Sequence, residues 1–417
     1  MQDNEVVSRD EHFLNAIKNT PFLSLHVNTK EFIKEMAFSY HLSHSQIINI
    51  VTIAIDLEMW GEDIKALWEN KESKKEAISR LEKKYETLKN TPKSYKNFSV
   101  KPKKENYTIK NVEKSSFGFG SCPVASPKTR CCNLLTLDVF EGCGFGCSYC
   151  SIQSFYSNGE ITKDANFKEK LFGLQIDKEK IYHIGTGQSS DSLMFGNKDG
   201  VLETLIEFAR QNKNVILEFK SKSNNVKFLL ENELPKNIIC TFSLNPQSII
   251  DNEEHFAASL DERINSARKL ADCGILVGFH FHPMVVFEGY EDEYSQIATK
   301  LLDTFKPSEV VLISMGTLTF IKPVLKKIRE RADKSKILQM PFTEASGKFS
   351  YPISVKKEMF KMLYNAFEPW HKKVFFYMCM EDVSLWSEVF GREYKNNEEF
   401  EEAMKKAYIE KITKVDL

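Results

Sequence analysis

The 417-residue chain has no surplus of either charge: 57 Lys and Arg stand against 58 Asp and Glu, a net of -1. No global positive field therefore advertises a nucleic-acid partner, and any such contact has to be local. The opening MQDNEVVSRDEH has neither the basic head nor the apolar segment of a secretory leader. Ile47 to Ile55, the longest apolar stretch near the amino end, is interrupted by Asn and Thr and is too short to span a bilayer. Internal repeats and low-complexity tracts are also lacking. The expectation is a protein away from membranes in a reducing compartment, the cytoplasm, where thiols stay free to ligate metal.

A disulfide scaffold is excluded by length, and the nine cysteines are odd in number, with six of them between Cys122 and Cys150. The apolar fraction is 42%, and 31 Phe, 14 Tyr and 4 Trp can fill a sizeable core, which excludes a disordered chain. The length exceeds one ordinary core, so one large α/β domain with additions, or two to three domains, is expected.

Residues 1 to about 90 read as helix after helix, with apolar residues at helical spacing from Glu31 to Tyr40, Ser45 to Leu57 and Ile64 to Leu88. From Lys89 to Lys114, eight lysines face only Glu105 and Glu113, and Pro92 and Pro102 break any period. A solvated connector is expected there, with a phosphate-contacting arm as the alternative. Beyond it, short β-rich runs alternate with helical patterns. Strands are expected at 134–140, 181–186, 215–221, 238–245, 276–284 and 310–316, and helices at 200–211, 225–231, 261–273, 292–305 and 319–332. Six β-α units imply an α/β fold with a parallel sheet, a partial (β/α)6 barrel of the TIM type. The expected division is a helical N-terminal domain (1–90), a basic linker and lead-in (91–133), the barrel (134–343), and a C-terminal α/β extension (344–417) holding a strand near 373–380 between helices.

After the first strand comes Cys143-Gly144-Phe145-Gly146-Cys147-Ser148-Tyr149-Cys150. A chance CxxxCxxC in this composition has a probability of roughly 0.004, so the spacing carries information. Three thiolates on one loop can hold three irons of a [4Fe-4S] cluster and leave the fourth open for chemistry. Gly142, Gly144 and Gly146 suit a loop wrapped closely round such a group. The alternative is a zinc site in which Cys131, Cys132 or His183 joins these three; zinc favours paired CxxC motifs, and a second pair is lacking.

An aromatic residue before the last cysteine, on a loop after the first strand of a six-fold β/α series, resembles the radical S-adenosylmethionine (SAM) superfamily. Within it, residues from about Leu134 to Met378 resemble the spore photoproduct lyase family. The likeness rests on Cys147-Ser148-Tyr149-Cys150-Ser151-Ile152-Gln153, on Ser190-Asp191, on Lys222 after the third strand and on Phe242-Ser243-Leu244-Asn245. It continues through Leu260-Asp261-Glu262-Arg263-Ile264 and Pro283 with Glu288-Gly289-Tyr290.

The resemblance implies a [4Fe-4S] cluster on Cys143, Cys147 and Cys150, and SAM as the second cofactor, cleaved reductively to a 5′-deoxyadenosyl radical. It also implies a reductant protein of flavodoxin or ferredoxin type. Under it Lys222 pairs the SAM carboxylate, Ser190 and Asp191 meet its ammonium or ribose, Ser243 and Asn245 offer neutral hydrogen bonds, Tyr149 packs on the adenine, and Gly187 lets backbone approach. Tyr149, Gln188 and His282 are the candidate catalytic residues. His282 shares one face of the fifth strand with His280; a core role is the alternative for it. Gln188 stands where the family carries the cysteine that returns a hydrogen atom. Glutamine has no weak X–H bond to donate, which counts against the family's own thymine-dimer repair. The basic hairpin of the family is reduced here to Thr343–Lys348. Cys379 is a substitute donor or, more simply, a core residue, and Cys122, Cys131 and Cys132 are expected bystanders. The implied substrate is a damaged or modified nucleobase in nucleic acid. A small molecule, tRNA or peptide substrate, and an iron–sulfur sensor without turnover, are the alternatives.

Overall fold

The computed structural model of the chain describes residues 2–70, 73–102, 106–122, 128–152, 155 and 160–414. Gln153 of the cysteine loop and Lys103, Lys104 and Glu105 of the basic segment lie outside the described residues. The described strands are β1 (Thr108–Val112), β2 (Phe119–Ser121), β3 (Leu135–Leu137), β4 (Phe140–Glu141), β5 (Glu160–Asp164), β6 (Tyr182–Thr186), β7 (Val215–Ser221), β8 (Ile238–Ser243), β9 (Leu276–Met284), β10 (Val310–Thr317), β11 (Thr319–Ile321), β12 (Thr343–Ala345), β13 (Lys348–Ser350) and β14 (Phe375–Met378). Two compact units result. One comprises Met1–Pro102, Val286–Glu288 and Thr319–Ser350, the other Lys103–Val285, Gly289–Leu318 and Tyr351–Leu417.

The first unit is helical, as expected, with helices Gln2–Ile17, Val27–Ser39, His44–Trp60 and Lys74–Asn90. Ser43 opens the third of these with a reciprocal cap to Gln46, and Gly61, at φ +82°, closes it. Within the unit, buried Asp56 accepts two 2.7 Å hydrogen bonds from Arg329 and one from the Tyr85 hydroxyl at 2.6 Å. Arg329 lies on helix Lys322–Arg331, which the sequence pattern assigned to the barrel and which belongs to this unit instead. The hairpin β12–β13, with Ser346 and Gly347 both at positive φ in its two-residue turn, pairs with β11 here.

The second unit is built on an eight-stranded sheet in the order β14-β10-β9-β8-β7-β6-β3-β2. All pairs are parallel except β2 with β3. β7 and β10 are apolar runs buried almost throughout, as expected of parallel strands covered on both faces. The registers set Thr186 opposite Phe219, Ser221 opposite Phe242 and Ser243 opposite His280, so the carboxyl ends of β6 to β9 finish together. Thr129, between β2 and β3, forms a bridge with Asp382, just past β14. A link between the two ends of the sheet requires it to curl, and the result is a partial barrel.

Three expectations are corrected. The first strand does not run through 134–140: Asp138 accepts hydrogen bonds from the Ser189 amide (2.7 Å) and hydroxyl (2.8 Å), and beyond it the chain leaves β3 for β4, in a small sheet ordered β1-β5-β4. The strand near 373–380 is no extension but the edge strand β14 of the barrel sheet, reached through helix Ile353–Ala366. The basic segment is only in part a solvated connector. It contributes β1, Lys110 pairs with Glu160 at 2.8 Å, Lys114 with Glu141 at 2.9 Å, and buried Lys93 reaches the Gln339 carbonyl. Lys96 and Lys101 remain exposed, so the charge of the segment is matched only in part. Among the described residues no helix is long and apolar enough to cross a membrane.

Candidate active site

The cysteine loop leaves β4 through Gly142, whose φ of +96° and a Cβ position 3.0 Å from the Glu160 carbonyl admit only glycine. Its amide donates to the Ser189 carbonyl at 2.9 Å, tying the loop to the segment after β6. From the other side, the Ser148 amide donates to Glu253 (2.8 Å) and the Phe256 amide to Phe145 (3.1 Å). So held, Cys143, Cys147 and Cys150 line one pocket with Tyr149, Gly187, Gln188, Ser190, Asp191, Lys222, Ser243 and His282. The pocket lies where β6 to β9 end, the usual location of a site in a parallel α/β sheet.

Burial, together with the charges of Asp191 and Cys150, pushes the Cys143 thiol up; burial and Glu254 do the same to Cys147. A cation beside such thiols would favour the thiolate form, the form that ligates metal. The neighbours Ser190 and Asp191 differ sharply. Among the described residues, the Ser190 hydroxyl is buried without a hydrogen-bond partner. The Asp191 carboxylate is saturated: one oxygen accepts from Leu193 N, Met194 N and Ser221 Oγ, the other from Lys222 N at 2.7 Å. Asp191 therefore fixes the loop after β6 to the end of β7. Gly187 has φ +78°, and a Cβ there would meet Ser192 Oγ at 2.7 Å.

Lys222 Nζ sits 5.9 Å from the centre of the Tyr149 ring, whose hydroxyl donates to Glu254. Glu254 is fully enclosed; its other oxygen accepts from Arg263 at 2.6 Å, and both partners are inaccessible to solvent. Burial alone raises a carboxyl pKa, but the charges of Arg263 and Lys222 and the bonds from Tyr149 and Asn245 outweigh it and hold Glu254 down to about 2. Asn245 is the one expected cofactor contact that does not reach the pocket. Its amide is taken up between Glu254 (2.8 Å) and the Tyr294 hydroxyl (2.8 Å), which makes it a strut beneath the site.

His280 also serves this understructure. Its Nδ1 meets Ser314 Oγ at 2.6 Å and its Nε2 meets Glu218 at 2.9 Å, while His183, on the far side, holds the other Glu218 oxygen at 2.8 Å. His183 is thus committed to Glu218 and not to the cysteines. His282 faces the pocket and rests against Gly316, where a Cβ would lie 1.6 Å from its Nε2. Burial, then the charges of His280, Lys222 and Lys220, lowers its pKa to about 3.

The family model for spore photoproduct lyase matches residues 131–369, more than half of the chain. The chain belongs to the spore photoproduct lyase family. Spore photoproduct lyase of Clostridium acetobutylicum is 26% identical over 222 residues, 52% of this chain and 64% of that protein. That of Bacillus subtilis is 28% identical over 206 residues, 47% of this chain and 59% of that protein. The matched part thus spans about three fifths of the length of these relatives. A spore photoproduct lyase complexed with dinucleoside spore photoproduct superposes with a TM-score of 0.55 at 21% identity, covering 65% of this chain and 82% of that one. A variant with bound AdoMet and dinucleoside spore photoproduct gives 0.54 at 20% identity, covering 66% and 82%. At such identity the likeness establishes the fold, the partial barrel.

The residues present fit the cofactors of the spore photoproduct lyase family. Three soft donors share one loop, and a hydroxyl without a partner among the described residues and a lysine face the same space. Among the described residues no three His, Cys, Asp or Glu side chains gather round a single metal ion, which disfavours the zinc alternative. Ligands to three corners of a cluster need not converge on one point. Sequence reasoning missed the understructure of Glu218, Glu254 and Tyr294. Only Arg263, inside the helix-opening motif, carried a signal.

Proposed function

We propose that this protein is a radical SAM enzyme that cleaves S-adenosylmethionine reductively and acts on a damaged or modified nucleobase in nucleic acid. The observation that carries the reading is the convergence of Cys143, Cys147 and Cys150 with Lys222 and the unsatisfied Ser190 hydroxyl in one pocket at the strand ends. The cysteines would hold a [4Fe-4S] cluster, which when bound supplies the electron for cleavage of SAM to 5′-deoxyadenosine chemistry.

The chain's own residues then have distinct tasks. Lys222 neutralises the SAM carboxylate, and the fixed charge of Glu254 beneath Tyr149 keeps that lysine and ring together. Ser190 gives its hydrogen bond to the cofactor, Gly187 permits backbone approach, and Ser243 borders the pocket from β8. Asp191 positions the loop that carries Ser190 and Gln188. His282 stays neutral and serves as a polar wall against substrate. A low-potential protein of flavodoxin or ferredoxin type supplies electrons, and nine free cysteines suit a reducing, cytoplasmic setting.

The substrate class rests on the company the fold keeps: solved relatives hold AdoMet and a dinucleoside photoproduct. Gln188 faces the pocket without an S–H bond to give, which favours a nucleobase lesion other than the thymine dimer of spores. Reconstituted protein given dithionite and SAM should release 5′-deoxyadenosine, with more in the presence of a true substrate. No release at all would sink the enzymatic reading.

A further inference from the structure

The basic stretch that begins at Lys89 folds into the helical unit, and so does the insertion 319–350 between β10 and β14. Residues 89–101 and 319–350 hold twelve Lys and Arg against three acids, a net of +9 in a chain whose total is -1. Part of that charge is spent inside the unit. Arg329 is bound to buried Asp56, Lys326 and Lys327 share Glu330, Arg331 lies 3.9 Å from Asp333, and Lys89 pairs with Glu86. Lys96, Lys101, Lys322 and Lys334 are exposed, and among the described residues none of these four has a carboxylate within ion-pair distance.

Local structure brings the two stretches onto one spot. Helix Lys322–Arg331 buries Val324, Leu325 and Ile328, leaves its lysines outside, and ends at Ala332 with φ +50°. The chain beyond it sets Lys334 Nζ 5.0 Å and Lys336 Nζ 5.1 Å from the centre of the Phe98 ring. Phe98 is held by a turn of its own. Its amide donates to Tyr95 O at 3.0 Å, Asn97 has φ +64°, and the buried Tyr95 ring stands edge-on to Phe98 and to Phe287. Lys96, in the same turn, is exposed. An ordinary solvated face intersperses both signs of charge, whereas here cations from two distant stretches are gathered round one ring. They repel one another until an anion enters among them, and the ring holds two of them in place beforehand, which reduces the ordering that a ligand must impose.

We propose that this face of the helical unit, centred on Phe98 with Lys96, Lys334 and Lys336 and flanked by Lys101, binds the phosphodiester backbone of nucleic acid. The inference rests on the nucleic-acid reading of the pocket and adds to it a second place of contact, one that meets phosphates and no bases. The near-zero net charge of the chain is no obstacle, since association needs only a local excess. An acidic protein is the rival partner, and the surface does not suit it. Protein interfaces are built round exposed aromatic or apolar anchors and are depleted in lysine, and here two lysines crowd the ring. Backbone contacts fix position and carry no sequence information, so this face binds without regard to base composition.

The test is equilibrium binding of the full chain to duplex and single-stranded oligodeoxynucleotides of about 20 nucleotides, followed by fluorescence anisotropy from about 50 to 300 mM salt. Both should bind the wild type with an affinity that falls steeply as salt rises. Lys96→Gln/Lys101→Gln/Lys334→Gln should reduce the slope of log K against log salt on the duplex by about 2 to 3 and weaken binding about 100-fold at about 0.1 M salt. Lys168→Gln/Lys213→Gln/Lys269→Gln, an equal loss of charge from exposed lysines of the other unit, should leave both nearly unchanged. In the unaltered protein, bound duplex should shield Lys96 and Lys334 from acetic anhydride and leave Lys213 and Lys269 reactive, a readout independent of how any variant folds. Affinity flat with salt, equal losses in the two variants, or equal acetylation with and without duplex would overturn the proposal. So would polyglutamate competing as strongly as unlabelled duplex, which would assign the face to an acidic protein. Release of 5′-deoxyadenosine from SAM in the absence of nucleic acid should be the same in wild type and variants, so failure of the SAM reading and failure of this one are separate results.

Discussion

Replacing Glu254 by Gln tests the charge understructure most directly. The change removes the counter-charge of Arg263, a pair in which both side chains are fully enclosed at 2.6 Å. A buried cation left alone costs about 3–5 kcal/mol. The carboxyl itself gives a second route to the magnitude. Held at about 2 when folded against an ordinary 4.5, it contributes about 3 kcal/mol at neutral pH. The two agree. Because the folded value is depressed, this stability is complete above about pH 4.5 and fades as pH falls toward 2. For a unit of this size, Glu254→Gln should lower the melting temperature at pH 7 by about 5–8 °C. The gap to wild type should narrow between pH 5 and pH 3. Differential scanning calorimetry across that range is the assay. An unchanged melt at pH 7, or a gap that persists undiminished at pH 3, would show that Glu254 does not carry the charge balance beneath Tyr149. Adding Arg263→Met to the first change should cost less than the sum of the two single changes, since no bare charge is then left.

Three further outcomes are expected. Lys222→Ala should weaken SAM binding about 10- to 100-fold in calorimetric titration while leaving iron content unchanged, as expected for loss of a charge-assisted contact. Gly187→Ala should cost at least about 2 kcal/mol in urea unfolding, because φ +78° is strained for any L residue and the new methyl meets Ser192. His282, whose pKa burial lowers to about 3, should show ring resonances that do not titrate between pH 5 and 8. Its folded value lies below the unfolded one, so it subtracts stability as pH falls below about 6.5; a midpoint near neutrality would contradict its burial.

The legible part of the fold was the part fixed by neighbours in sequence. β7, β9 and the capped helix Leu260–Asp272 follow from apolar runs and from the Ser259 and Glu262 box, and all lie where the pattern put them. The failures share a cause, which is dependence on distant residues. The break between β3 and β4 is made by Asp138 reaching Ser189, fifty-one positions away. β14 has only four residues and follows a long insertion that folds with the other unit, so its parallel pairing with β10 leaves no periodic trace. In the candidate site, the cysteine loop stood out by its spacing and Lys222 by the family resemblance, and both line the pocket. Asn245 was misjudged because a strand-end amide looks the same whether it faces a ligand or a buried carboxylate.

That difference between facing a ligand and holding up the site recurs at each strand end, and it orders the pocket. β6 ends in a pair of which Ser190 keeps an unsatisfied hydroxyl while Asp191 spends every lone pair it can on the chain. β9 repeats the division, with His280 locked to Glu218 and Ser314 and His282 turned to the pocket. β8 and its following loop do the same with Ser243 above and Asn245 below. A site that must surround a charged cofactor needs both kinds of group: polar atoms without internal partners to meet it, and saturated ones to keep those atoms from collapsing onto each other. Strand geometry alone does not make the division, since His280 and His282, two positions apart, share a face; what separates them is that His280 finds Glu218 and Ser314 as partners. The members of each pair therefore differ in which one is left without an internal hydrogen-bond partner, and Ser190→Ala should stabilise the fold because it removes a buried hydroxyl that has none among the described residues.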